Sequence, residues 1–244
     1  MTDSGPVLVV TNLDDPTTDL VIEELHGRDV PVVRFDSGDF PTTLSFEAVI
    51  TSDGVKGFLH TPTRTAELSR VPSLYYRRPC GFTFPHLDEQ SARFAVTQAR
   101  YGLGGVPCTV EVLEVEAEEI DDSVAGTAHL FQERIDKVAD VRVTVIGDDI
   151  FCVRIDSGLL DWRTDYSRLT YSVVQPPPGI TEALRAYLAR FGLVFGAFDF
   201  AVDHVGQWWF LECNSSGQWA WMEPETGLPM VAAMADLLER KATS

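Results

Sequence analysis

The sequence predicts an α/β protein in which a parallel α/β unit precedes a C-terminal α+β part built on an antiparallel sheet. The parallel unit is indicated by residues 7–35, where an apolar strand pattern, a helical pattern over 17–26 and a second apolar strand follow one another. A helix between two such strands implies a right-handed parallel crossover. The antiparallel sheet is indicated by the alternating strands 141–146 and 150–156, which flank the tight turn Gly147-Asp148-Asp149.

The other elements extend these two units. Asp53-Gly54, between the alternating runs 43–50 and 55–60, predicts a β-hairpin. A strand over 73–76 leads into Arg77-Arg78. Later patterns predict, in order, a helix over 87–103, a core helix over 183–191, strands over 195–202 and 208–214, and a closing amphipathic helix over 229–240.

The composition is that of a globular protein with a strong negative charge. The 244 residues are 45% apolar and carry a net charge of −18. Non-specific nucleic-acid binding needs a basic face, so no nucleic-acid partner is expected. The chain has no run of about 18 apolar residues and no basic-then-apolar signal segment. We therefore expect no membrane association and a cytoplasmic location.

Three groups of chemically active residues have ordinary structural explanations. The cysteines Cys80, Cys108, Cys152 and Cys213 are scattered, which predicts free thiols in a reducing compartment. Seven of the twelve residues 111–122 are acidic, which is typical of a solvated face or loop. Arg77-Arg78 at a strand end can bind an anion, but the residues slightly favour surface ion pairing.

Charged residues alternate along the hairpin over 141–156. Asp140, Arg142 and Thr144 share one face of the first strand, with valines on the other. The returning strand carries Arg154 and Asp156. Such a hairpin can hold an anion on its arginines, or form cross-strand salt bridges such as Arg142 with Asp156. The residues alone leave these alternatives equal.

A second hairpin gathers oxygen atoms that could bind a metal. A loop at 204–207 places Asp199 opposite Glu212, and Asn214 shares the face of Glu212. Two carboxylates that are close in apolar surroundings need a cation or a proton between them. Mg²⁺ is usually held by one or two carboxylates plus substrate phosphates. The aromatic neighbours favour this magnesium site over an exposed charged hairpin face.

Several motifs occur in the order found in ATP-grasp ligases. They are Phe131-Gln132-Glu133, Asp140-Val141-Arg142, Asp161-Trp162-Arg163, Asp199 and Glu212-Cys213-Asn214-Ser215-Ser216. Longer phrases resemble the ribosomal peptide maturases of the microviridin (graspetide) type: residues 34–41, Tyr76-Arg77-Arg78-Pro79, Gly196-Ala197-Phe198-Asp199-Phe200 and Asn214-Ser215-Ser216-Gly217-Gln218-Trp219. The ribosomal-protein glutamate ligases share the catalytic core but not the N-terminal phrases. The resemblance covers about 1–104 and 124–240, and its motifs are specific as a set.

The resemblance implies an ATP-grasp fold and a role for each matching residue. Gln132, Glu133, Arg134 and Ile135 would form the hinge that meets adenine, Asp140 would face the ribose, Arg142 and Arg163 would hold phosphates and the acyl-phosphate, and Asp199, Glu212 and Asn214 would bind Mg²⁺. The implied activity is ATP-dependent phosphorylation of Asp or Glu side chains in a ribosomal precursor peptide. Attack by Ser, Thr or Lys then closes lactones or lactams. Relatives are commonly dimers, so a homodimer is also implied.

The sequence departs from the family pattern in the centre of the chain. Family members carry a longer segment there, with the rest of a small lid domain and two lysines that grip the ATP phosphates. The three lysines of this chain, Lys56, Lys137 and Lys241, all lie outside 105–129. We therefore expect a pre-ATP-grasp domain over 1–104, a remnant of the lid over 105–129 and the catalytic domain over 130–244.

Two explanations for the short centre are open. Either a mobile lid of the full protein is missing from this chain, or the chain is truly short and is a non-catalytic precursor-binding relative. The intact set of nucleotide and metal residues favours the first explanation. A third alternative is a ligase of the same core that adds amino acids to a protein tail.

Overall fold

The computed structural model describes residues 5–40, 42–51, 54–81, 134–159 and 162–240. The expected helix over 87–103, the acidic segment 111–122 and the lid remnant over 105–129 lie outside these ranges. Those three expectations therefore stay predictions.

The chain begins with the predicted strand–helix–strand unit. Strand β1 (Val7–Val10) is buried along its whole length, helix α1 (Pro16–Gly27) follows it, and strand β2 (Val32–Phe35) pairs with β1 in parallel. The helix begins at Pro16 because the Asp15 carboxylate accepts the Thr18 amide and because proline fits the first helical position. The parallel crossover is thus confirmed.

A small antiparallel sheet follows. Its strands are β3 (Ser45–Thr51), β4 (Gly54–His60) and β5 (Thr65–Glu67), in that order. The predicted hairpin over 43–60 is confirmed. The sequence does not predict β5, because three residues are too few to show alternation. Leu59 and Ala66 pack against Leu8 and Val33 of the first unit.

Strand β6 (Leu74–Tyr76) adds to the parallel sheet, whose order in the described residues is β2-β1-β6. The central strand β1 has a parallel neighbour on each side, so its carboxyl end opens a crevice between the two crossovers. Asp15 and Arg77 both lie at this edge: the Arg77 amide donates to the Val10 carbonyl at 2.9 Å. This edge meets the C-terminal half of the protein.

The described part of the C-terminal half is built on a five-stranded antiparallel sheet with the order β11-β10-β7-β8-β9. Its elements are β7 (Lys137–Ile146), β8 (Asp149–Asp156), β9 (Thr170–Val173), helix α2 (Ile180–Phe191), β10 (Phe195–Asp203) and β11 (Trp208–Asn214). Helix α2 covers one face, where Leu184 and Leu188 pack against the valines of β7 and Phe198. The other face carries the polar side chains.

One hydrophobic core joins the two halves. The chain ends with the short helix α3 (Glu223–Thr226) and helix α4 (Met230–Glu239). The buried core residues come from the parallel sheet and α1, from β7 and β8, and from the C-terminal segment; they include Val7, Val9, Val21, Leu25, Ile146, Val153, Trp219, Met222, Met230 and Met234. Because these side chains pack in one cluster, the two halves are expected to unfold together.

Polar contacts close the outer end of this interface. Arg28, just after α1, places its Nη1 2.6 Å from Asp236 and 2.9 Å from Glu239. The Ser73 hydroxyl donates to the Leu238 carbonyl at 2.6 Å. Helices α1 and α4 are therefore fixed to each other by both apolar and charged contacts.

One expectation from composition, the state of the cysteines, can be checked. Cys80, Cys152 and Cys213 are free thiols, as predicted, and Cys108 lies outside the described residues. Burial raises the pKa of the Cys152 thiol to about 12, which makes it unreactive. Within the ranges that the structure covers, no helix is long and apolar enough to cross a membrane.

The shared core predicts that two leucines of α1 contribute differently to the free energy of unfolding. Leu25→Ala should lower the free energy of unfolding by about 2–5 kcal/mol, because Leu25 is 0% exposed in the core between the halves. Leu20→Ala on the same helix should change it by about 0.5 kcal/mol or less, because Leu20 is 42% exposed. Urea unfolding followed by circular dichroism measures both. Equal losses would contradict this packing.

Candidate functional site

The polar face of β7 lies in the middle of the C-terminal sheet. As predicted, Asp140, Arg142 and Thr144 share this face, and each is 5% exposed or less. Strands β10 and β8 flank β7, so these side chains can reach partners on both sides. Buried polar side chains need partners, and the partners of Arg142 define the site.

A β-bulge sets the register of the β10–β11 hairpin. Phe200 pairs with Phe210, whereas Asp199 pairs with Glu212, so Leu211 is an extra residue in β11. If the two strands paired without a bulge, Leu211 would lie opposite Asp199, and Glu212 would point to the opposite face of the sheet. The predicted pairing of Asp199 with Glu212 is thus confirmed, but the loop is one residue longer than predicted, because Val202 rather than Asp203 pairs with Trp208, and the bulge offsets this difference.

The turn of this hairpin is held by one carboxylate. Asp203 accepts the Val205 and Gln207 amides at 3.0 and 2.9 Å. Its second oxygen accepts the Trp209 indole N–H at 2.9 Å. These bonds fix where β11 begins, and therefore where the bulge places Glu212.

Three neighbouring strands present one row of charged side chains. Arg142 on β7 lies opposite Asp199 on β10, which lies opposite Glu212 on β11. The Arg142 Nη1 donates to both Asp199 oxygens at 2.7 and 2.6 Å. Arg163, in the short helical turn Trp162–Thr164, places its Nη1 3.1 Å from the Glu212 Oε1. We call Arg142, Asp199, Glu212 and Arg163 the charged row.

Glu212 is the member of the charged row that resists ionisation. Burial raises the pKa of its carboxyl, and the hydrogen bond and charge of Asp199 raise it further. Arg163 and Arg142 act in the opposite direction, and the net pKa shift is upward. A cation placed between Asp199 and Glu212 would stabilise the ionised form.

The donor set fits Mg²⁺. Asn214 lies on the same face as Glu212, opposite Ala197, and its Oδ1 accepts the Ser216 amide at 2.9 Å. A carbonyl oxygen keeps a second lone pair for a further contact. Among the described residues no group of three or more His, Cys, Asp or Glu is arranged to hold a metal. The protein would therefore supply two carboxylates and an amide oxygen, and the phosphate oxygens of the nucleotide would supply further ligands. Mg²⁺ is commonly held in this way.

The suggested salt bridge between Arg142 and Asp156 is wrong. The turn after β7 has two residues rather than three, so Ile146 pairs with Asp149 and Arg142 with Val153. This one-residue shift moves Arg154 and Asp156 to the opposite face of the sheet. There the Asp156 carboxylate accepts from the guanidinium of Arg154 at 2.8–3.1 Å.

A cleft at the start of β7 holds the described residues that the resemblance assigns to the nucleotide. Arg134, Ile135, Lys137 and Asp140 line a cavity of about 160 Å³. The Lys137 Nζ lies 2.6 Å from both Asp140 oxygens. Gln132 and Glu133 lie outside the described residues. Because Asp140 and Arg142 are two residues apart on one face of β7, the cleft adjoins the charged row.

Arg77 and Gln218 hold the backbone beside the charged row, although the sequence favours surface ion pairing for Arg77 and predicts no role for Gln218. The surface ion-pair interpretation is wrong for Arg77, which is 2% exposed; Arg78 is exposed. Arg77 donates to the Gly217 carbonyl at 2.8 Å and to the Gln218 side chain at 3.0 Å. The sequence does carry one signal for these two residues. They occur in Tyr76-Arg77-Arg78-Pro79 and Asn214-Ser215-Ser216-Gly217-Gln218-Trp219, two of the phrases that resemble the microviridin-type maturases.

Sequence comparison gives a match for the first part of the chain. The profile of the MvdD pre-ATP-grasp domain matches residues 6–107. None of the curated proteins matches the chain.

Solved structures of peptide-modifying enzymes match nearly the whole chain. Macrocyclase MdnC of Microcystis aeruginosa MRC, bound with precursor peptide MdnA, covers 96% of this chain and 99% of its own, at 21% identity and TM-score 0.72. The RiPP-associated ATP-grasp ligase of Chryseobacterium gregarium, in complex with ADP and a leader and core peptide, covers 96% of both chains, at 19% identity and TM-score 0.74. Macrocyclase MdnB of the same Microcystis strain covers 96% of this chain and 98% of its own, at 19% identity and TM-score 0.70. The chain therefore has the fold of the ATP-grasp ligases, and its residues 6–107 match the MvdD pre-ATP-grasp domain.

Proposed function

We propose that the protein is an ATP- and Mg²⁺-dependent ligase that closes lactone or lactam rings in a ribosomal precursor peptide. The observation that carries this proposal is the charged row, in which two adjacent carboxylates lie between two arginines on an ATP-grasp sheet. Support also comes from the precursor and leader peptides bound to MdnC and to the Chryseobacterium ligase.

The proposed reaction has two steps. A peptide Asp or Glu carboxylate attacks the γ-phosphorus of ATP, which forms an acyl-phosphate and releases ADP. A Ser or Thr hydroxyl or a Lys amine then attacks the acyl carbon, loses its proton and displaces phosphate. Each ring thus costs the peptide one water. ATP supplies the phosphoryl group, and Mg²⁺ balances its negative charge.

The residues of the site divide this work. Asp199, Glu212 and Asn214 would hold Mg²⁺, while Arg142 and Arg163 lie close enough to neutralise phosphate oxygens bound at that pair of carboxylates. Arg134, Ile135 and Asp140, together with Gln132 and Glu133, would bind the nucleoside in the cleft beside the row. The site residues mainly position and neutralise, and no covalent enzyme intermediate is needed.

The proposal extends to organisation and setting. We propose the division into a pre-ATP-grasp domain over 1–104, a central segment over 105–129 and a catalytic domain over 130–244. A cytoplasmic location and a homodimer complete the proposal.

One observation favours a second candidate, a precursor-binding protein without catalysis. Arg142 already donates to both oxygens of Asp199, and 105–129 contains no lysine to grip phosphates. In that case the guanidinium of Arg142 would neutralise Asp199 permanently, in place of a metal ion. Peptide-dependent ADP release would exclude this candidate.

Asp199→Asn should lower peptide-dependent ADP release by about 100-fold or more, because it removes a charge from the expected metal site. Synthetic candidate precursor peptides serve as substrates, and the product mass is a second readout. Asp156→Asn is the matched control, because Asp156 lies on the opposite face of the same sheet and pairs with Arg154.

The outcomes separate the candidates. Loss of water from the peptide, abolished only by Asp199→Asn, supports ring closure. A gain of mass would instead indicate amino-acid addition to a protein tail. Peptide binding without ADP release would indicate the non-catalytic relative, and equal loss in both variants would contradict the assignment of Asp199.

Gly217→Ala should disturb the site through a steric clash. A Cβ at this position would lie 2.7 Å from the Arg142 Nη2 and 2.9 Å from the Ala197 Cβ. Overpacking of this kind costs about 1–3 kcal/mol of stability. We expect peptide-dependent turnover to fall by about tenfold as the guanidinium shifts. Gly27→Ala is the control, because a Cβ there meets nothing within 4 Å; unchanged turnover in Gly217→Ala would refute the close contact.

A further inference from the structure

The segment 215–218 follows strand β11 directly and lies against the charged row. The Ser216 amide is accepted by the Asn214 Oδ1 at 2.9 Å. The Gln218 carbonyl accepts the Arg142 Nη2 at 2.9 Å. The position of this segment therefore influences both a proposed metal ligand and the arginine of the row.

The N-terminal half holds this segment through one buried arginine. The Arg77 Nη1 donates to the Gly217 carbonyl at 2.8 Å and to the Ser216 carbonyl at 3.3 Å. Its Nη2 donates to the Gln218 Oε1 at 3.0 Å. The side chain of Arg77 is 1% exposed, so water cannot replace these contacts. A planar guanidinium can make them together, whereas a lysine ammonium cannot.

Arg77 is itself fixed by the start of helix α1. Its Nε donates to the Asp15 carboxylate at 3.3 Å, which balances the buried charge. Asp15 also accepts the hydroxyls of Thr11 and Thr18 at 2.9 and 2.7 Å. Thr17 on the same helix donates to the Gln218 Oε1 at 2.5 Å. The amino end of α1, Arg77 and Gln218 thus form one hydrogen-bonded unit.

Packing leaves little space for this segment to move. A Cβ on Gly217 would come within 2.7 Å of the Arg142 Nη2, so the backbone already lies against the guanidinium. A shift of the Gln218 carbonyl would remove an acceptor from Arg142. Arg142 would then lose one of the hydrogen bonds that orient its guanidinium on Asp199.

We propose that Arg77 is a positioning residue: it holds the Gly217 carbonyl and the Gln218 side chain, and thereby keeps the Gln218 carbonyl where it accepts from Arg142 and orients Arg142 on Asp199. This inference rests on the proposed function, since it concerns the same metal and phosphate site. The N-terminal half then sets the geometry of a site that lies more than sixty residues away from Arg77 in sequence.

A second arginine provides a matched control. Arg28 also joins the two halves, through Asp236 and Glu239 at the outer end of the interface. Its guanidinium donates to Glu24, Asp236, Glu239 and the Ala232 carbonyl, which all lie outside 215–218 and the charged row. Arg28→Gln therefore removes an arginine that holds the halves together, but leaves the site untouched.

The test uses nucleotide binding rather than turnover. Calorimetry measures the dissociation constant of AMPPNP with and without Mg²⁺ for the wild type, Arg77→Gln, Arg77→Lys and Arg28→Gln. We expect Mg²⁺ to strengthen AMPPNP binding in the wild type. Arg77→Gln should reduce this gain by about 10- to 100-fold, the usual effect of losing a group that orients a metal site. Binding without Mg²⁺ should hardly change, Arg77→Lys should restore the gain only in part, and Arg28→Gln should retain it.

Hydrogen exchange tests the geometry separately. The amides of Ser216 and Gly217 should exchange faster in Arg77→Gln than in Arg28→Gln, with both compared at equal unfolding free energy. An unchanged Mg²⁺ gain in Arg77→Gln, or the same loss in both variants, would overturn the positioning role. A wild type that binds no AMPPNP with Mg²⁺ would instead overturn the proposed function, and the catalytic meaning of this inference with it.

Discussion

The buried ion pair between Arg142 and Asp199 is the interaction on which the rest of the site depends. Their side chains are 6% and 8% exposed, so loss of one partner would leave an unpaired buried charge, at a cost of about 3–5 kcal/mol. A buried ion pair often adds little stability compared with apolar residues of the same size. Its value here is positional: one guanidinium contacts the carboxylate beside Glu212 and the backbone of 215–218 at the same time.

The fold holds this ion pair rigidly from two sides. Along β7, Ile146 belongs to the core shared by both halves, and Thr144 and Arg142 follow on the same face of the strand. On this face of β7 the charged row therefore lies directly beside the shared core, with only Thr144 between Ile146 and Arg142. From the other side, Arg77 and the start of α1 hold the segment that covers Arg142. A site built on a central strand and fixed by the N-terminal half suits a reaction that depends on positioning and charge neutralisation.

The sequence predicts the elements well and their registers less well. Strands and helices with long patterns, such as β7 and α2, are found because periodicity and burial agree. The pairing of Asp199 with Glu212 is predicted correctly, although it depends on a bulge at Leu211 that no local pattern reveals. The Arg142–Asp156 pair fails because a turn of two residues instead of three reverses a face. Arg77 is missed because its partners lie about 140 residues further along the chain.

In the proposed reaction, Asp199 and Glu212 together hold the metal ion that ATP chemistry needs. Crystals grown with Mn²⁺ and AMPPNP test this role directly, because anomalous scattering locates Mn²⁺ without relying on activity. We expect a peak about 2.0–2.2 Å from carboxylate oxygens of both residues, close to the distance that Mg²⁺ adopts, with phosphate oxygens completing the shell. Bound AMPPNP with Arg142 still paired to Asp199 and no metal between the two carboxylates would contradict the account.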